Sequence, residues 1–290
     1  MKCFLCLFTA LVFTVINAKA QVKKMDPVDE LAATLTPTRS VIYKKVADRE
    51  LSLHVFEPDG HLSTDRRACY ITIHGGGWTG GNAKRMYPFA AHYRERGLVG
   101  ISVEYRLHQP KEGVTVFDCV KDARSALRYV RAHSQDFGID PQKIIVSGGS
   151  AGGHLAVATA LFADVNEAGE DTSISAEPNA LVLLFPVIDC SPDGYGQVKI
   201  GKDWKKISPV HQVKAGLPPT ITFHGTGDTV TPFIGAQRFH DSMLKLGNRS
   251  ELVVNESGTH GYLMRDRVLL DDTFVRSDAF LTSLGLMVSR

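Results

Sequence analysis

Short apolar runs recur along the chain at 69–73, 100–103, 143–146, 180–185, 220–223 and 251–254. Each is too short for a helix and is flanked by glycine, proline or polar residues, so each predicts a buried strand. Between them the apolar residues take helical spacing, near 87–96, 116–134, 150–162, 232–246 and 272–284. Strands alternating with helices predict a largely parallel sheet covered on both faces. Ahead of these, 41–46 and 51–56 flank Asp48-Arg49 and predict an antiparallel hairpin. In 116–134, Val116, Val120, Ala123, Leu127 and Val130 form one stripe. Lys121, Arg124, Arg128 and Arg131 lie opposite and are expected to face solvent. Residues 21–40 are polar and punctuated by proline, which predicts an extended arm folded over the sheet edge where ligands bind. Residues 188–216 lack periodic apolar positions and form the only insertion long enough for a cap, a small one over an open, shallow site.

The chain has 290 residues, 43% of them hydrophobic, enough for one globular core. That core is assigned to 41–290. Residues 1–20 read as an export signal: Lys2, an apolar stretch from Phe4 to Ile16, and Ala18-Lys19-Ala20 ahead of a cleavage point after Ala20. The protein is therefore expected to be secreted or periplasmic, with no stable membrane anchor. Losing Lys2 and Lys19, the only charges in that segment, takes the formal charge from +2 to 0. With no basic run and no interleaved aromatics, nucleic acid is not an expected partner. Cys69, Cys119 and Cys190 remain; Cys69 and Cys119 read as buried small hydrophobes, and a disulfide among the three is left open.

The chemistry begins at Ser147-Gly148-Gly149-Ser150-Ala151-Gly152-Gly153, a G-x-S-x-G match between an apolar run and a helical pattern. Strand, glycine turn and helix are the context in which such a serine is a nucleophile on a strained elbow. His74-Gly75-Gly76-Gly77-Trp78 follows the 69–73 run. A three-glycine loop there can bring backbone amides to the oxyanion of an acyl-transfer intermediate, with the Ala151 amide as the second donor. An acid and a histidine should follow in that order. Asp228 ends His224-Gly225-Thr226-Gly227-Asp228 after the 220–223 run, and His260 follows the 251–254 run. All three fall after strands, at the ligand-binding edge of an open sheet. Asp189, also after a strand, is the alternative acid.

These motifs, with Val103-Glu104-Tyr105-Arg106-Leu107 and His260-Gly261, span roughly 40–285. Through them the chain resembles α/β-hydrolases of the hormone-sensitive-lipase-like esterase branch, and within it bacterial acetyl-xylan and feruloyl esterase-like proteins. The resemblance implies the α/β-hydrolase fold, a mostly parallel sheet of about eight strands. It also implies oxyanion donors at Gly76 and Gly77. One departure is Gly149, where that branch usually has Asp; the polysaccharide-esterase relatives accommodate glycine there. Trp78 and Gly149 are the candidate substrate-binding positions, although Trp78, like Trp204, either lines a pocket or packs. His74 is expected to brace the glycine loop, His154 to pack, and His224 to be structural. No histidine pair has metal-ligand spacing, so neither a metal nor a cofactor is expected. The reading is a secreted serine esterase for short-chain acyl esters, acetyl or feruloyl groups on polysaccharide. The alternatives are a peptidase of the same fold and an inactive hydrolase-like binding protein; the oligomeric state is left open.

Overall fold

The computed structural model of the protein describes residues 25–288, so residues 1–20, expected to be an export signal, lie outside the described residues. Eight strands form one sheet: β1 (Arg39–Val46), β2 (Arg49–Phe56), β3 (Arg67–Ile73), β4 (Val99–Val103), β5 (Ile139–Gly149), β6 (Ala180–Leu184), β7 (Thr220–Gly225) and β8 (Ser250–Asn255). Their spatial order is β1-β2-β4-β3-β5-β6-β7-β8. The β1/β2 hairpin is antiparallel and β2 runs antiparallel to β4. Every other pairing is parallel.

Among the described residues eight α-helices accompany the strands: α1 (Pro27–Thr34), α2 (Tyr87–Glu95), α3 (Val116–Ala132), α4 (Ala151–Leu161), α5 (Gln197–Ile200), α6 (Phe233–Lys245), α7 (Tyr262–Arg265) and α8 (Arg267–Ser283). The sheet separates two cores, and alternate residues of one strand enter different ones. Val146, Leu181 and Leu183 pack with residues of α3, α4 and α6. Ile145, Val182 and Leu184 pack with residues of α1, α2, α7 and α8. Burial on both faces is why the central strands read as unbroken apolar runs. Cys69, Cys119 and Cys190 are all buried free thiols.

Three expectations are corrected. The arm is not extended: Pro27 to Thr34 is helical, because proline is tolerated in the first turn, where its missing N–H would have no partner. Val28 is buried against the second core, and Asp26 and Asp29 pair with Arg85 at 3.1 and 3.2 Å. The last helix begins at Arg267 rather than 272, because Asp266 caps it by accepting the amides of Val268 and Leu269. The basic face of α3 is not solvated. Arg124 donates to the carbonyls of Ala158 and Thr159 at the end of α4, and Arg128 to Glu170, Asn166 and the Ile174 carbonyl. Arg131 holds the carbonyls of Pro141 and Glu177. The irregular segment 163–179 covers this face, and of the four basic residues only Lys121 keeps a local partner, Asp118.

Asp122, fully buried on α3, is the centre of an ionic cluster. It accepts from Lys44 at 2.7 Å and from the Arg106 guanidinium at 2.8 Å. Glu167 joins at 2.8 Å from Lys44 and 2.6 Å from Arg106. Removing one member of such a cluster leaves buried charge uncompensated. Asp122→Asn should destabilise the fold by about 3–5 kcal/mol in urea unfolding; a loss under about 1 kcal/mol would mean that water reaches the two cations.

Candidate active site

Ser150 stands alone between the end of β5 and the start of α4, at φ 55 and ψ −121. L-residues reach this region only when the surroundings over-determine it. Its amide donates to the Leu184 carbonyl at 2.9 Å, and its carbonyl accepts from His154 and Val187 at 3.1 and 3.0 Å. The elbow is tight enough that a Cβ on Gly152 would stand 2.1 Å from the Ile73 carbonyl oxygen, so only glycine fits. Gly149 lines the cleft, and a Cβ there would stand 3.2 Å from the Phe185 ring. A side chain at that position would need the Phe185 ring to give by a few tenths of an ångström.

The three strand-end residues meet. Ser150 Oγ is 2.9 Å from His260 Nε2, and His260 Nδ1 is 2.8 Å from Asp228 Oδ2. Asp228 Oδ1 accepts the amides of Val230 and Thr231 at 2.9 and 2.8 Å. The Thr231 hydroxyl donates to Oδ2 at 2.9 Å. Burial by itself would raise the Asp228 carboxyl, but hydrogen bonding from His224, His260 and Thr231 outweighs it and holds the group well below the usual carboxylate range. Thr231 was not singled out from sequence; its signal is an Asp followed three residues later by Thr, an Asx-type turn. His224 is buried, donates to the Thr231 carbonyl at 2.7 Å and lies 3.4 Å from Asp228 Oδ2. Asp189 is elsewhere: its carboxylate accepts the Ser191 amide at 2.8 Å.

On the other side of Ser150 stands the glycine loop. Gly76 and Gly77 have φ of 116 and 60. Their carbonyls are held, and among the described residues their amides donate to no protein group. Ala151, the first residue of α4, has an amide with no acceptor inside its own helix. Three amides are therefore available beside the Ser150 hydroxyl. His74 braces the loop, its Nδ1 2.8 Å from the Gly75 carbonyl and its ring stacked on Tyr105. His154 is buried and bonds the Ile207 carbonyl at 2.7 Å.

Trp78 does not line the cleft. It is fully buried at φ 63, with its ring against His154 and Tyr195. Trp204 packs on His211 in the 188–216 segment. That segment instead contributes Tyr195 to a cleft of about 300 Å³, whose other walls include Met86, Phe185, Val230 and Met264. Asp26, next to α1, also reaches the cleft, so the arm does border the site.

A family model described as BD-FAE matches residues 53–192. Probable carboxylic ester hydrolase LipM of Mycobacterium tuberculosis is 28% identical over 248 residues, covering 75% of this chain and 57% of that protein. Probable isoprenylcysteine alpha-carbonyl methylesterase ICMEL1 of Arabidopsis thaliana is 25% identical over 250 residues, covering 77% and 50%. The chain thus spans about half the length of these curated relatives. Esterase 2 of Thermogutta terrifontis superposes with a TM-score of 0.83 at 38% identity, over 87% of this chain and 96% of that one. That esterase has been solved with propionate and with butyrate bound, and phosphorylated by paraoxon.

Two buried histidines flank this site. Burial lowers His74 and His154 each from an ordinary 6.5 to about 4. Both rings are neutral in the fold, so between pH 6.5 and 4 the unfolded chain binds the extra protons. Their stabilisation is intact above pH 6.5, falls as pH drops through that window, and stops falling below about 4. The two together should give a slope of about 2.7 kcal/mol per pH unit. Urea unfolding between pH 7 and 4 measures it. His154→Gln should remove about half; an unchanged slope would place the acid sensitivity elsewhere.

Proposed function

The chain belongs to the α/β-hydrolase esterase family marked by the BD-FAE domain, and from that membership we propose that it is a serine carboxylesterase for short-chain acyl esters. The observation that carries this reading is the hydrogen-bonded line Ser150–His260–Asp228 facing the unpaired amides of Gly76 and Gly77. His260 Nε2 takes the Ser150 proton as Oγ attacks the ester carbonyl. Asp228 keeps the Nδ1 proton in place and stabilises the imidazolium. The amides of Gly76, Gly77 and Ala151 receive the oxyanion, each such donor being worth about 3–4 kcal/mol in the transition state. His260 then protonates the leaving alcohol; a water that gives its proton to the same imidazole attacks the acyl carbon, and as the C–Oγ bond breaks His260 returns that proton to Ser150 and the carboxylic acid leaves.

The substrate reading is narrower. A 300 Å³ cleft and a short 188–216 cap leave room for a small acyl group and an open approach for a large alcohol. Together with the resemblance to acetyl-xylan and feruloyl esterases, this favours acetyl or feruloyl esters on polysaccharide. Export, read from Lys2, the apolar 4–16 stretch and Ala18-Lys19-Ala20, suits a polymer substrate outside the cell.

Ser150→Ala and Asp228→Asn should each lower kcat on p-nitrophenyl acetate by about 10⁴-fold or more, while Asp189→Asn stays near wild type. Covalent labelling by a fluorophosphonate at a serine other than Ser150, or a crippled Asp189→Asn, would overturn the assignment. Each buried CH₂ is worth about 0.8 kcal/mol, so a long acyl groove would raise kcat/KM steadily with chain length. The expected profile for the protein lacking residues 1–20 instead peaks between acetyl and butyryl and falls steeply by octanoyl. A maximum at decanoyl or longer would make it a lipase.

A further inference from the structure

The glycine loop is held from three places. A peptide unit is a rigid plane with its N–H opposed to the preceding C=O, so a bond to one carbonyl aims the next amide. The Gly75 carbonyl is held by His74 Nδ1 at 2.8 Å, which aims the Gly76 amide. The Gly76 carbonyl accepts the amides of Thr79 and Gly80, each at 3.1 Å, which aims the Gly77 amide. Both holds are local. The Gly77 carbonyl is held from 122 residues away, by Lys199 Nζ at 3.1 Å.

Lys199 lies on α5 in the 188–216 segment and is half-buried. Its ammonium also donates to the Tyr195 hydroxyl at 2.8 Å. Among the described residues no carboxylate lies within ion-pair distance of it, so its charge is not neutralised by an acid. The fit to the loop is close: a Cβ on Gly77 would stand 2.5 Å from the Tyr195 hydroxyl and 3.0 Å from Lys199 Nζ. A Cβ on Gly196, which precedes α5, would stand 2.4 Å from the Trp78 ring. The cap and the residue that ends the glycine loop therefore pack as one unit. Tyr195 is itself anchored at the base of the cap, its amide donating to the Asp189 carbonyl at 2.8 Å.

Gly77 and Trp78 are consecutive residues with positive φ. Glycine occupies both hands of backbone space with little preference, so the Gly77–Trp78 peptide has little intrinsic reason to hold one orientation. We propose that Lys199 is a positioning residue for oxyanion stabilisation: by holding the Gly77 carbonyl it fixes the far side of the residue whose amide receives the developing charge, and it places an unneutralised cation against that residue. A fixed positive charge at that place acts more on the transition state than on the neutral ester. The cap is thereby coupled to catalysis rather than only roofing the cleft.

The proposal rests on the esterase reading, and its test separates the two. Lys199→Met keeps the stem and removes the charge; Lys199→Arg keeps a charged donor. On p-nitrophenyl acetate, Lys199→Met should lower kcat by at least about 10-fold with KM changed less than about 2-fold, and Lys199→Arg should recover most of the loss. The Ki of an aryl trifluoromethyl ketone, which forms an oxyanion with Ser150, should rise in step with the fall in kcat/KM. The Ki of the matching unfluorinated ketone should not move. Amide hydrogen exchange of peptides spanning 74–80 should quicken in Lys199→Met at unchanged melting temperature, whether or not the protein cleaves esters. A wild-type protein inert toward every ester would sink the esterase reading, while the exchange result still decides the loop. Unchanged exchange with unchanged kcat, or a rise in KM alone, would overturn the proposal and leave Lys199 as packing or as a substrate contact.

Discussion

The site depends on backbone packing against backbone at the carboxyl edge of the sheet. The end of β5, the start of α4 and the loop after β3 approach so closely that side chains are excluded between them. A Cβ on Gly75 would stand 2.8 Å from the Gly149 carbonyl oxygen, one on Gly148 2.2 Å from that of Gly152, and one on Gly152 2.1 Å from that of Ile73. This contact brings the Ser150 hydroxyl and the Gly76 and Gly77 amides to one place. It also over-determines the Ser150 backbone, whose conformation alone costs of the order of 1–3 kcal/mol. The proposed nucleophile and the proposed oxyanion donors are thus two outcomes of one steric condition.

The proposed general base, His260, rests on a second condition, a buried carboxylate that stays ionised. Burying an unpaired charge is strongly unfavourable, and a lone carboxyl at that depth would take up a proton. Asp228 keeps its charge because a turn supplies two amides and a hydroxyl before His260 is added. The Thr231 hydroxyl lies 3.1 Å from His260 Nδ1, so the turn that satisfies the acid also borders the imidazole it orients. Phe185 stands edge-on to the same ring at a centroid distance of 5.1 Å and closes that side of the cleft.

The cap and the arm then divide the rim. From one side, Tyr195 and Lys199 close on the glycine loop. From the other, the residues around α1 are latched to Arg85 through Asp26 and Asp29. Each element borders the cleft, through Tyr195 and Asp26.

Elements whose signal is local are legible in the chain. The parallel strands follow from apolar runs, the elbow from small residues between a strand and a helix, and the order Ser150, Asp228, His260 from turn chemistry after three strands. The Thr231 contact is equally local, an Asx turn written in Asp228 and the threonine three residues on. What escapes depends on distant segments meeting. Arg124 and Arg128 look like a wet helix face because nothing in α3 reveals that 163–179 folds over it with carbonyls and acids. Trp78 reads equally as a cleft or a packing residue by its place in the chain, and a left-handed backbone at that position turns its ring into the core. Lys199 reads as one surface lysine among many until the fold sets it on the Gly77 carbonyl. Periodicity and turn preference are written within a few residues, so sequence alone determines the elements and the chemistry at their ends. Which face is covered, and which charge stands beside which amide, is decided only by tertiary packing, because those contacts join residues with no shared local pattern.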